Sequence, residues 1–385
     1  MRIFRLPRRI KQYAIKKAAE ILLPMPKQLP VSDEVKKILI YGSMGIGNMI
    51  LFTPTLKAIR RLFSEAHITL MVARPEYGEV IQGSTLVDEI MVVKPSYWND
   101  LRIAEDIRNM HFDLLFSNFQ GLFFKRITLF SGIPYRIGHC SSPDWTSDYD
   151  DLYNIKVRMK DKEHEIDRNL HLVECFGIKV TDLKPIFFIS NKAIAFADEF
   201  FYRNKICTHD LTIGIQVGSF RHQGWKHWSI NRLAQVCDLL MEKYQARIIL
   251  LGSSSQREEL ETLLKFMKKE PIIAVGKTNI KQAAAIIKKC NFTICNDTGL
   301  MHVSAAVGTP VIAIYGPTDY TRTSPLKYNK DAIILRKDLP CSPCYRMAGE
   351  KTVINCRNRE CLNSITVQDV VEAAKKMIAK KNASG

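Results

Sequence analysis

The sequence predicts an α/β protein built from two doubly wound, parallel-sheet domains. At 385 residues the chain is longer than one hydrophobic core serves, because single cores stop growing near about 250–300 residues. Short apolar runs alternate with helical periodicity in both halves, which is typical of parallel sheets covered by helices. Apolar residues make up 46% of the chain and charged residues 25%, so neither disorder nor a fibrous repeat is expected.

Residues 1–34 form a basic arm ahead of the first strand. Between residues 1 and 37 the chain has ten Lys or Arg and three acidic residues, which supplies +7 of the net charge of +17. Basic and apolar side chains are interleaved as far as Pro24, a composition typical of a helix lying in a membrane interface. A solvated helix and a nucleic-acid arm are the alternatives. The arm lacks the apolar stretch and cleavage site of a signal peptide, and no window of the chain is apolar for long enough to span a bilayer.

Residues 35–190 are predicted to form an N-terminal Rossmann-like domain. A short apolar run, Lys36–Tyr41, enters a glycine-rich loop, and helical spacing of apolar residues follows from Leu51 to Phe63. This order indicates a strand, a loop and a helix. Further strands are predicted at residues 68–72, 88–93 and 112–116.

The loop after the first strand contains Gly45, Gly47 and Asn48, and it opens a helix. Backbone N–H groups at a helix N-terminus attract anions, and glycine allows a ligand to approach the backbone. A dinucleotide fingerprint needs a third glycine where Ile50 stands, so NAD binding is not expected. A tight turn without a ligand is the alternative.

Residues 205–350 are predicted to form a second Rossmann-like domain, after a link between Leu183 and Cys207. The remaining residues, 351–385, form a cysteine-bearing tail that ends in a helix. Strands of the second domain are predicted at residues 211–217, 246–251, 291–295 and 311–315.

A second glycine-containing turn begins at Asn296 and opens another helix. Asp297 and Thr298 suit the N-cap region, but capping alone does not account for Gly299 and His302. Gly299 exposes backbone amides to a phosphate, and His302 falls one turn along the same helix. We therefore expect a diphosphate to bind here.

Lys226 stands just before a helix that Ser229 is predicted to cap. A lysine at this point can stabilise a departing phosphate by charge, although a solvated lysine is the alternative. Ser219 is a weaker candidate for a phosphate contact at the same sheet edge.

Ten cysteines in a chain of this length do not suggest a secreted disulfide scaffold, so a reducing cytoplasm is expected. Four of them are spaced so that they could hold a structural zinc ion, form two disulfides or remain free thiols. These four are Cys341, Cys344, Cys356 and Cys361.

Together these segments resemble family 9 glycosyltransferases, the heptosyltransferases of lipopolysaccharide core assembly. The most specific match runs from Asn296 to Thr318, and Lys226-His227-Trp228 matches the Lys-x-Trp element of the family. Leu251-Gly252 and Gly45-Ile46-Gly47, with Pro54, match further elements. The resemblance covers Val35 to the C-terminus, and it includes a cysteine-bearing tail, so the cysteines need not imply a metal.

The resemblance implies a GT-B fold, with two Rossmann-like domains facing a cleft, and an inverting transfer that uses no metal and no other cofactor. It implies an ADP-heptose-like nucleotide-sugar donor, whose diphosphate is held by Lys226 and the amides of Thr298 and Gly299. Asp297 would hold sugar hydroxyls, and His302 would support the site.

The acceptor implied is a phosphorylated glycolipid, met by the N-terminal domain at the anionic inner face of the inner membrane. Asn48 stands where the family usually has an aspartate that acts as general base, and an amide cannot accept that proton. Either another carboxylate or a histidine serves as the base, or the transfer proceeds without strong base assistance, or the chain binds and does not catalyse. The alternative function is therefore a catalytically silent nucleotide-sugar-binding or scaffold protein of the same fold. Nucleic acid is not an expected partner, because no zinc-finger, RNP or KH signature is present.

Overall fold

The structure is a computed structural model. It divides into two compact units, Met1–Pro185 and Ile186–Gly385. Each unit contains one six-stranded sheet in which every strand pairing is parallel, so the predicted α/β architecture is confirmed. The described residues are 8–24, 26, 28–42, 45–94, 99–118, 122–140, 150–160, 162–218, 221–348, 351–353, 356 and 358–384.

The sheet of the first unit has the strand order β3-β2-β1-β4-β5-β6. The first and second strands are buried at all but their first residue, as expected for parallel strands covered on both faces. The chain proceeds in one direction from β1 to β3 and in the other from β4 to β6, so the switch point lies between β1 and β4. The strands are β1 (Lys37–Tyr41), β2 (His67–Val72), β3 (Glu89–Val92), β4 (Leu114–Ser117), β5 (Tyr135–Cys140) and β6 (Ile155–Arg158).

The described residues of the first unit form six α-helices. The second of them begins after Gly45, whose φ of +93° is a conformation that L side chains rarely adopt. This helix buries ten residues and packs against the sixth helix. The helices are α1 (Arg8–Leu22), α2 (Ile46–Leu62), α3 (Pro75–Gly78), α4 (Asp100–Asn109), α5 (Leu122–Phe130) and α6 (Glu165–Glu174).

The basic arm forms helix α1, and part of its apolar face packs on the protein itself. Ile15, Ala19 and Leu23 are buried in one cluster with Leu129 and Leu152. The segment after α1 is fixed through its backbone carbonyl oxygens. They accept hydrogen bonds from one buried and one half-buried side chain. No helix among the described residues is long and apolar enough to cross a membrane.

Arg136 and Asn154 provide those contacts. The guanidinium of Arg136 is fully buried and donates to the carbonyl oxygens of Pro24 and Leu152, at 2.9 and 2.7 Å. The amide of Asn154 donates to the carbonyl oxygen of Pro26 at 3.1 Å. The end of the arm is therefore held on the first unit.

The sheet of the second unit has the order β12-β11-β10-β7-β8-β9, and its switch point lies between β7 and β10. A separate two-stranded antiparallel sheet follows near the C-terminus. The strands are β7 (Thr212–Gln216), β8 (Arg247–Leu251), β9 (Ile272–Ile273), β10 (Phe292–Asn296), β11 (Val311–Ile314), β12 (Ile333–Leu335), β13 (Arg346–Ala348) and β14 (Lys351–Val353).

The helices of the second unit begin and end largely as the sequence predicts. The Ser229 side chain accepts from the backbone N–H of Arg232 and caps the helix that follows Lys226, which confirms that cap. The predicted stop at Gly308 is also confirmed, since Gly308 has φ +88° just after a helix ends. The helices are α7 (Asn191–Arg203), α8 (Ile230–Tyr244), α9 (Arg257–Phe266), α10 (Ile280–Lys289), α11 (Gly299–Ala306), α12 (Tyr320–Thr323), α13 (Glu360–Asn363) and α14 (Val367–Ser384).

A substitution at Gly138 tests the packing of the first sheet. A Cβ atom added there would lie 2.5 Å from the ring of Tyr153, which is buried and hydrogen-bonded through its hydroxyl to Ser117. We expect Gly138→Ala to destabilise the protein by about 2 kcal/mol, because the ring cannot move without strain. Thermal unfolding measures this cost. Gly224→Ala is the control, since a Cβ atom there meets nothing within 4 Å; equal melting temperatures for both variants would contradict this packing.

Candidate functional site

The candidate site lies at the carboxyl edge of the second sheet, at the switch point between β7 and β10. In open α/β sheets, ligands bind outside the carboxyl ends of the strands at such a point, because the two loops leave in opposite directions and open a crevice. The loop after β7 includes the 3-10 helix Arg221–Lys226, and the loop after β10 includes Asp297 and Thr298. The fold therefore brings two sequence-predicted segments to one edge.

Lys226 and Asp297 form an ion pair across this edge. The Lys226 ammonium lies 2.9 Å from a carboxylate oxygen of Asp297 and 3.4 Å from its carbonyl oxygen. The two side chains are only 17% and 8% exposed. A pair this sheltered from water keeps more of its Coulomb attraction than a surface pair, but each charge depends on the other for compensation.

Neighbouring polar groups hold both loops in place. The side-chain oxygen of Asn296 accepts from the backbone N–H of Trp228 at 2.9 Å. The backbone N–H of Asn296 donates to the side chain of Gln216 at 3.1 Å, and the Gln216 amide donates to the carbonyl oxygen of Gly218 at 2.6 Å. The Trp228 indole donates to the carbonyl oxygen of Ile365. The loop that carries Lys226 is thus tied to β7, β10 and the C-terminal segment.

An aromatic pair flanks the lysine. Trp225 and Tyr345 stack with ring centroids 5.2 Å apart and an interplanar angle of 18°. The Lys226 ammonium lies 5.3 Å from the Trp225 ring and 6.0 Å from the Tyr345 ring, within the range of cation–π attraction. Sequence reasoning missed Tyr345, because no local pattern links it to residue 225.

Helix α11 starts beside the ion pair. Thr298 occupies its N-cap position, but the Thr298 side chain makes no capping hydrogen bond, and its hydroxyl oxygen is buried without a hydrogen-bond partner. Thr298 therefore stands at the predicted N-cap position but does not cap the helix through its side chain. The first N–H groups of α11 suit an anion, since a helix N-terminus combines such donors with a positive dipole end.

His302 is buried on the first turn of α11. Its Nδ1 lies 2.8 Å from the hydroxyl of Tyr328, which sequence reasoning also missed. Burial raises the pKa of Tyr328 far above its ordinary value, so this hydroxyl stays protonated. The hydrogen bond fixes the orientation of the imidazole. The supporting role of His302 stays a prediction.

The glycine-rich loop of the first unit also lies at a switch point, between β1 and β4. Gly45 precedes α2, and Gly47 and Asn48 lie in the first turn of that helix. Asn48 is exposed. This loop offers an uncharged amide where the second unit offers a charged pair.

The remaining candidates are Ser219 and the four C-terminal cysteines. Ser219 lies outside the described residues. All ten cysteines are free thiols, including Cys341, Cys344, Cys356 and Cys361, so the two-disulfide alternative is not what the structure has. In the described part of the chain, no three Cys, His, Asp or Glu side chains are arranged to hold a metal ion.

Two solved structures share the fold of this chain. A family 9 glycosyl transferase from Veillonella parvula superposes with a TM-score of 0.75 at 23% identity, covering 92% of this chain and 100% of that one. The E. coli ADP-heptose LPS heptosyltransferase II gives 0.71 at 21% identity, covering 90% and 99%. Both comparisons support the predicted GT-B fold.

The sequence identifies the family. The profile of glycosyltransferase family 9 (heptosyltransferase) matches residues 101–353, which is more than half of the chain. Lipooligosaccharide heptosyltransferase 2 of Campylobacter jejuni is 26% identical over 352 residues, covering 89% of this chain and 98% of the relative. The chain belongs to glycosyltransferase family 9, as the sequence motifs indicate.

Removing the Asn296 side chain tests the network that holds the site. In Asn296→Ala the buried N–H of Trp228 loses its acceptor, so we expect a loss of about 1–3 kcal/mol in the free energy of unfolding. Denaturant titration followed by Trp fluorescence measures it. The control is Asn231→Ala, whose exposed side-chain oxygen accepts from the amide of Gln235 on the same helix. An unchanged midpoint for Asn296→Ala would show that the network does not stabilise the site.

Proposed function

We propose that this glycosyltransferase moves heptose from ADP-heptose to a phosphorylated glycolipid of the lipopolysaccharide-core type. The observation that carries the proposal is the Lys226–Asp297 ion pair beside the N-terminus of α11. A similar solved structure supports the proposed donor and acceptor class, because it is that of the E. coli ADP-heptose LPS heptosyltransferase II.

The diphosphate of the donor binds to the positive groups at this edge. Lys226 and the backbone N–H groups of Thr298 and Gly299 contact its oxygen atoms, and charge-assisted hydrogen bonds of this kind are short and strong. Asp297 accepts from sugar hydroxyls. In this arrangement Lys226 is shared between Asp297 and the phosphate, so its charge remains compensated before and after the donor binds.

In the proposed reaction, the leaving group is the part that most needs stabilisation. The bond between the anomeric carbon and the β-phosphate oxygen breaks, and negative charge develops on the departing diphosphate. Lys226 and the start of α11 stabilise that charge without a metal ion. The acceptor hydroxyl attacks from the opposite face of the sugar, so the anomeric configuration inverts.

Asn48 has a different role from the aspartate that the family usually has. Its amide can donate and accept hydrogen bonds but cannot take a proton near neutral pH. We therefore assign Asn48 to holding the acceptor hydroxyl, whose proton is released to solvent as the new C–O bond forms. A catalytically silent nucleotide-sugar-binding protein is the second candidate, and the observation that favours it is this same residue.

The acceptor side lies at a membrane in this proposal. Eleven large hydrophobic side chains are exposed among the described residues; five of them lie between residues 13 and 31, and we call these five the arm patch. Exposed Lys16 and Lys17 accompany them. Apolar insertion together with basic residues is typical of peripheral binding to anionic membranes, so we place the protein at the inner face of the inner membrane. The arm patch consists of Tyr13, Ile21, Leu22, Leu29 and Val31.

Replacing Lys226 tests the donor site. We expect Lys226→Gln to lower kcat/KM for ADP release from ADP-heptose by about 10²–10³-fold, because one preorganised charge on the leaving group is lost. The acceptor in the assay is glycolipid from a strain that lacks core heptose. Lys380→Gln is the control, since Lys380 pairs with Asp331 at the surface of the same unit.

Calorimetric titration with ADP-heptose separates the two candidate functions. Donor binding together with turnover supports transfer, whereas binding without turnover by the wild-type protein supports the silent alternative. Full activity of Lys226→Gln would contradict the assigned site.

The arm patch is tested by sedimentation with lipid vesicles. We expect the triple variant Lys16→Gln/Lys17→Gln/Ile21→Ser to bind phosphatidylglycerol vesicles at least about tenfold more weakly, since each basic residue near an anionic surface contributes about 1 kcal/mol. The matched control is Lys268→Gln/Lys269→Gln/Tyr202→Ser. Its residues are equally exposed, with Tyr202 at 83% and Ile21 at 80%. Equal binding by both triple variants would remove the arm patch from the proposal.

A further inference from the structure

The Lys226 ammonium has aromatic neighbours in addition to Asp297. A lysine carries a point charge on a flexible four-carbon stem, so one ion pair leaves much of its rotational freedom in place. The ring centroids of Trp225 and Tyr345 lie 5.3 and 6.0 Å from the ammonium. Attraction between a cation and a ring strengthens when the cation is withdrawn from water, and the lysine side chain is only 17% exposed. The two rings therefore restrict where the charge can lie.

Tyr345 reaches the lysine from a distant part of the sequence. Trp225 is the chain neighbour of Lys226, whereas Tyr345 stands just before β13. The backbone N–H of Tyr345 donates to the carbonyl oxygen of Pro317 at 2.9 Å. Pro317 belongs to the loop after β11, and β11 pairs with β10, the strand that leads to Asp297. The tyrosine ring is thus anchored beside the loop that carries the carboxylate.

Further hydrogen bonds hold the backbone next to the stacked rings. The Ser342 hydroxyl donates to the carbonyl oxygen of Gly316 at 3.1 Å, which fixes the segment that leads to the tyrosine. The Arg359 guanidinium donates to the carbonyl oxygen of Gly224 at 3.3 Å, which fixes the residue before the tryptophan. The rings themselves are nearly parallel, with an interplanar angle of 18°. The stack is therefore held from both sides.

We propose that Tyr345 is a positioning residue for Lys226. Its ring, stacked on Trp225, keeps the ammonium beside Asp297, at the sheet edge where the diphosphate of the donor departs. This role rests on the proposed function, because Tyr345 acts only through the lysine. A charge that is held in place before the leaving group departs stabilises the transition state without first being reoriented. The ring provides this restraint, so the tyrosine hydroxyl is not required.

Substitutions that remove the ring test the role of Tyr345. We expect Tyr345→Leu and Tyr345→Met to lower kcat/KM for ADP release from ADP-heptose about tenfold, because the lysine loses its cation–π restraint. Two ring-free variants are used so that poor folding of one does not end the test. Tyr345→Phe keeps the ring and should retain most of the activity. The control is Tyr202→Leu, whose ring is 83% exposed on α7 of the same unit. No loss in the ring-free variants, or an equal loss in Tyr345→Phe, would contradict the proposal.

A double-mutant cycle separates positioning from a merely structural role. If Tyr345 acts through Lys226, the loss caused by Tyr345→Leu should shrink to about twofold or less in Lys226→Gln protein, since no charge is left to position. Calorimetric titration with ADP repeats the cycle without turnover. A structural role would reduce activity by the same factor in both backgrounds, and that result would overturn the proposal.

Chemical labelling of Lys226 keeps this test distinguishable from the test of the proposed function. The protein is acetylated briefly with acetic anhydride in the absence of any sugar donor. Mass spectrometry then compares Lys226 with Lys380, whose side chain is 57% exposed. We expect Tyr345→Leu and Tyr345→Met to raise the relative labelling of Lys226 several-fold, and Tyr345→Phe to leave it as in the wild type.

Equal labelling of Lys226 in the wild type and both ring-free variants would overturn the proposal, because the ring would then not restrain the ammonium. Failure of the proposed function gives a different result. Wild-type protein that neither binds nor turns over ADP-heptose would contradict that function, whereas the labelling still reports whether Tyr345 holds the lysine.

Discussion

The buried ion pair between Lys226 and Asp297 is the constraint on which the rest of the site depends. Removing two charges from water is costly, and the cost is recovered only if the partners are held in a close geometry. The hydrogen bonds from Trp228 to Asn296 and from Asn296 to Gln216 supply that geometry, because they tie both loops to the ends of β7 and β10. The pair also explains why a cation can stand at this edge without a permanent anionic ligand. In the proposed function, the diphosphate of the donor shares Lys226 with Asp297.

Both units have the same backbone arrangement at the switch point of the sheet, but they carry different side chains there. In each sheet the chain reverses direction between two central strands, β1 and β4 in the first unit and β7 and β10 in the second. Each switch point is followed by a glycine and the N-terminus of a helix, α2 or α11. The second unit adds a lysine, a carboxylate and a buried histidine, whereas the first unit has Asn48 in the helix turn. The backbone therefore sets where ligands can approach, and a few side chains set what charge they meet.

The sequence predicted those strands whose apolar runs are continuous, such as β1, β7 and β10. It missed β5, because Arg136 and His139 interrupt that strand with groups that are ordinarily charged or polar. Both are buried, and burial lowers the pKa of His139 to about 3, so the imidazole is neutral near physiological pH. The Lys226 and Asp297 loops were predicted as site segments, but their direct pairing depends on strand order, which local patterns do not contain. Tyr345 and Tyr328 were missed for the same reason. The arm was predicted as an amphipathic helix, yet the packing of Ile15 and Ala19 on the first unit needed the tertiary fold.

The difference between the two switch points limits how the proposed reaction can be catalysed. An asparagine cannot remove the acceptor proton, so in the proposed mechanism Asn48 contributes no acceleration by deprotonating the nucleophile. The larger share must then come from stabilising the departing diphosphate, where Lys226 and the N-terminus of α11 converge. In such a reaction the bond to the leaving group is well broken before the new bond is complete, and the acceptor hydroxyl loses its proton late. An amide suffices for this step, because it needs only to orient the hydroxyl. In the proposed function, the ion pair of the second unit serves the donor, and Asn48 of the first unit orients the acceptor hydroxyl.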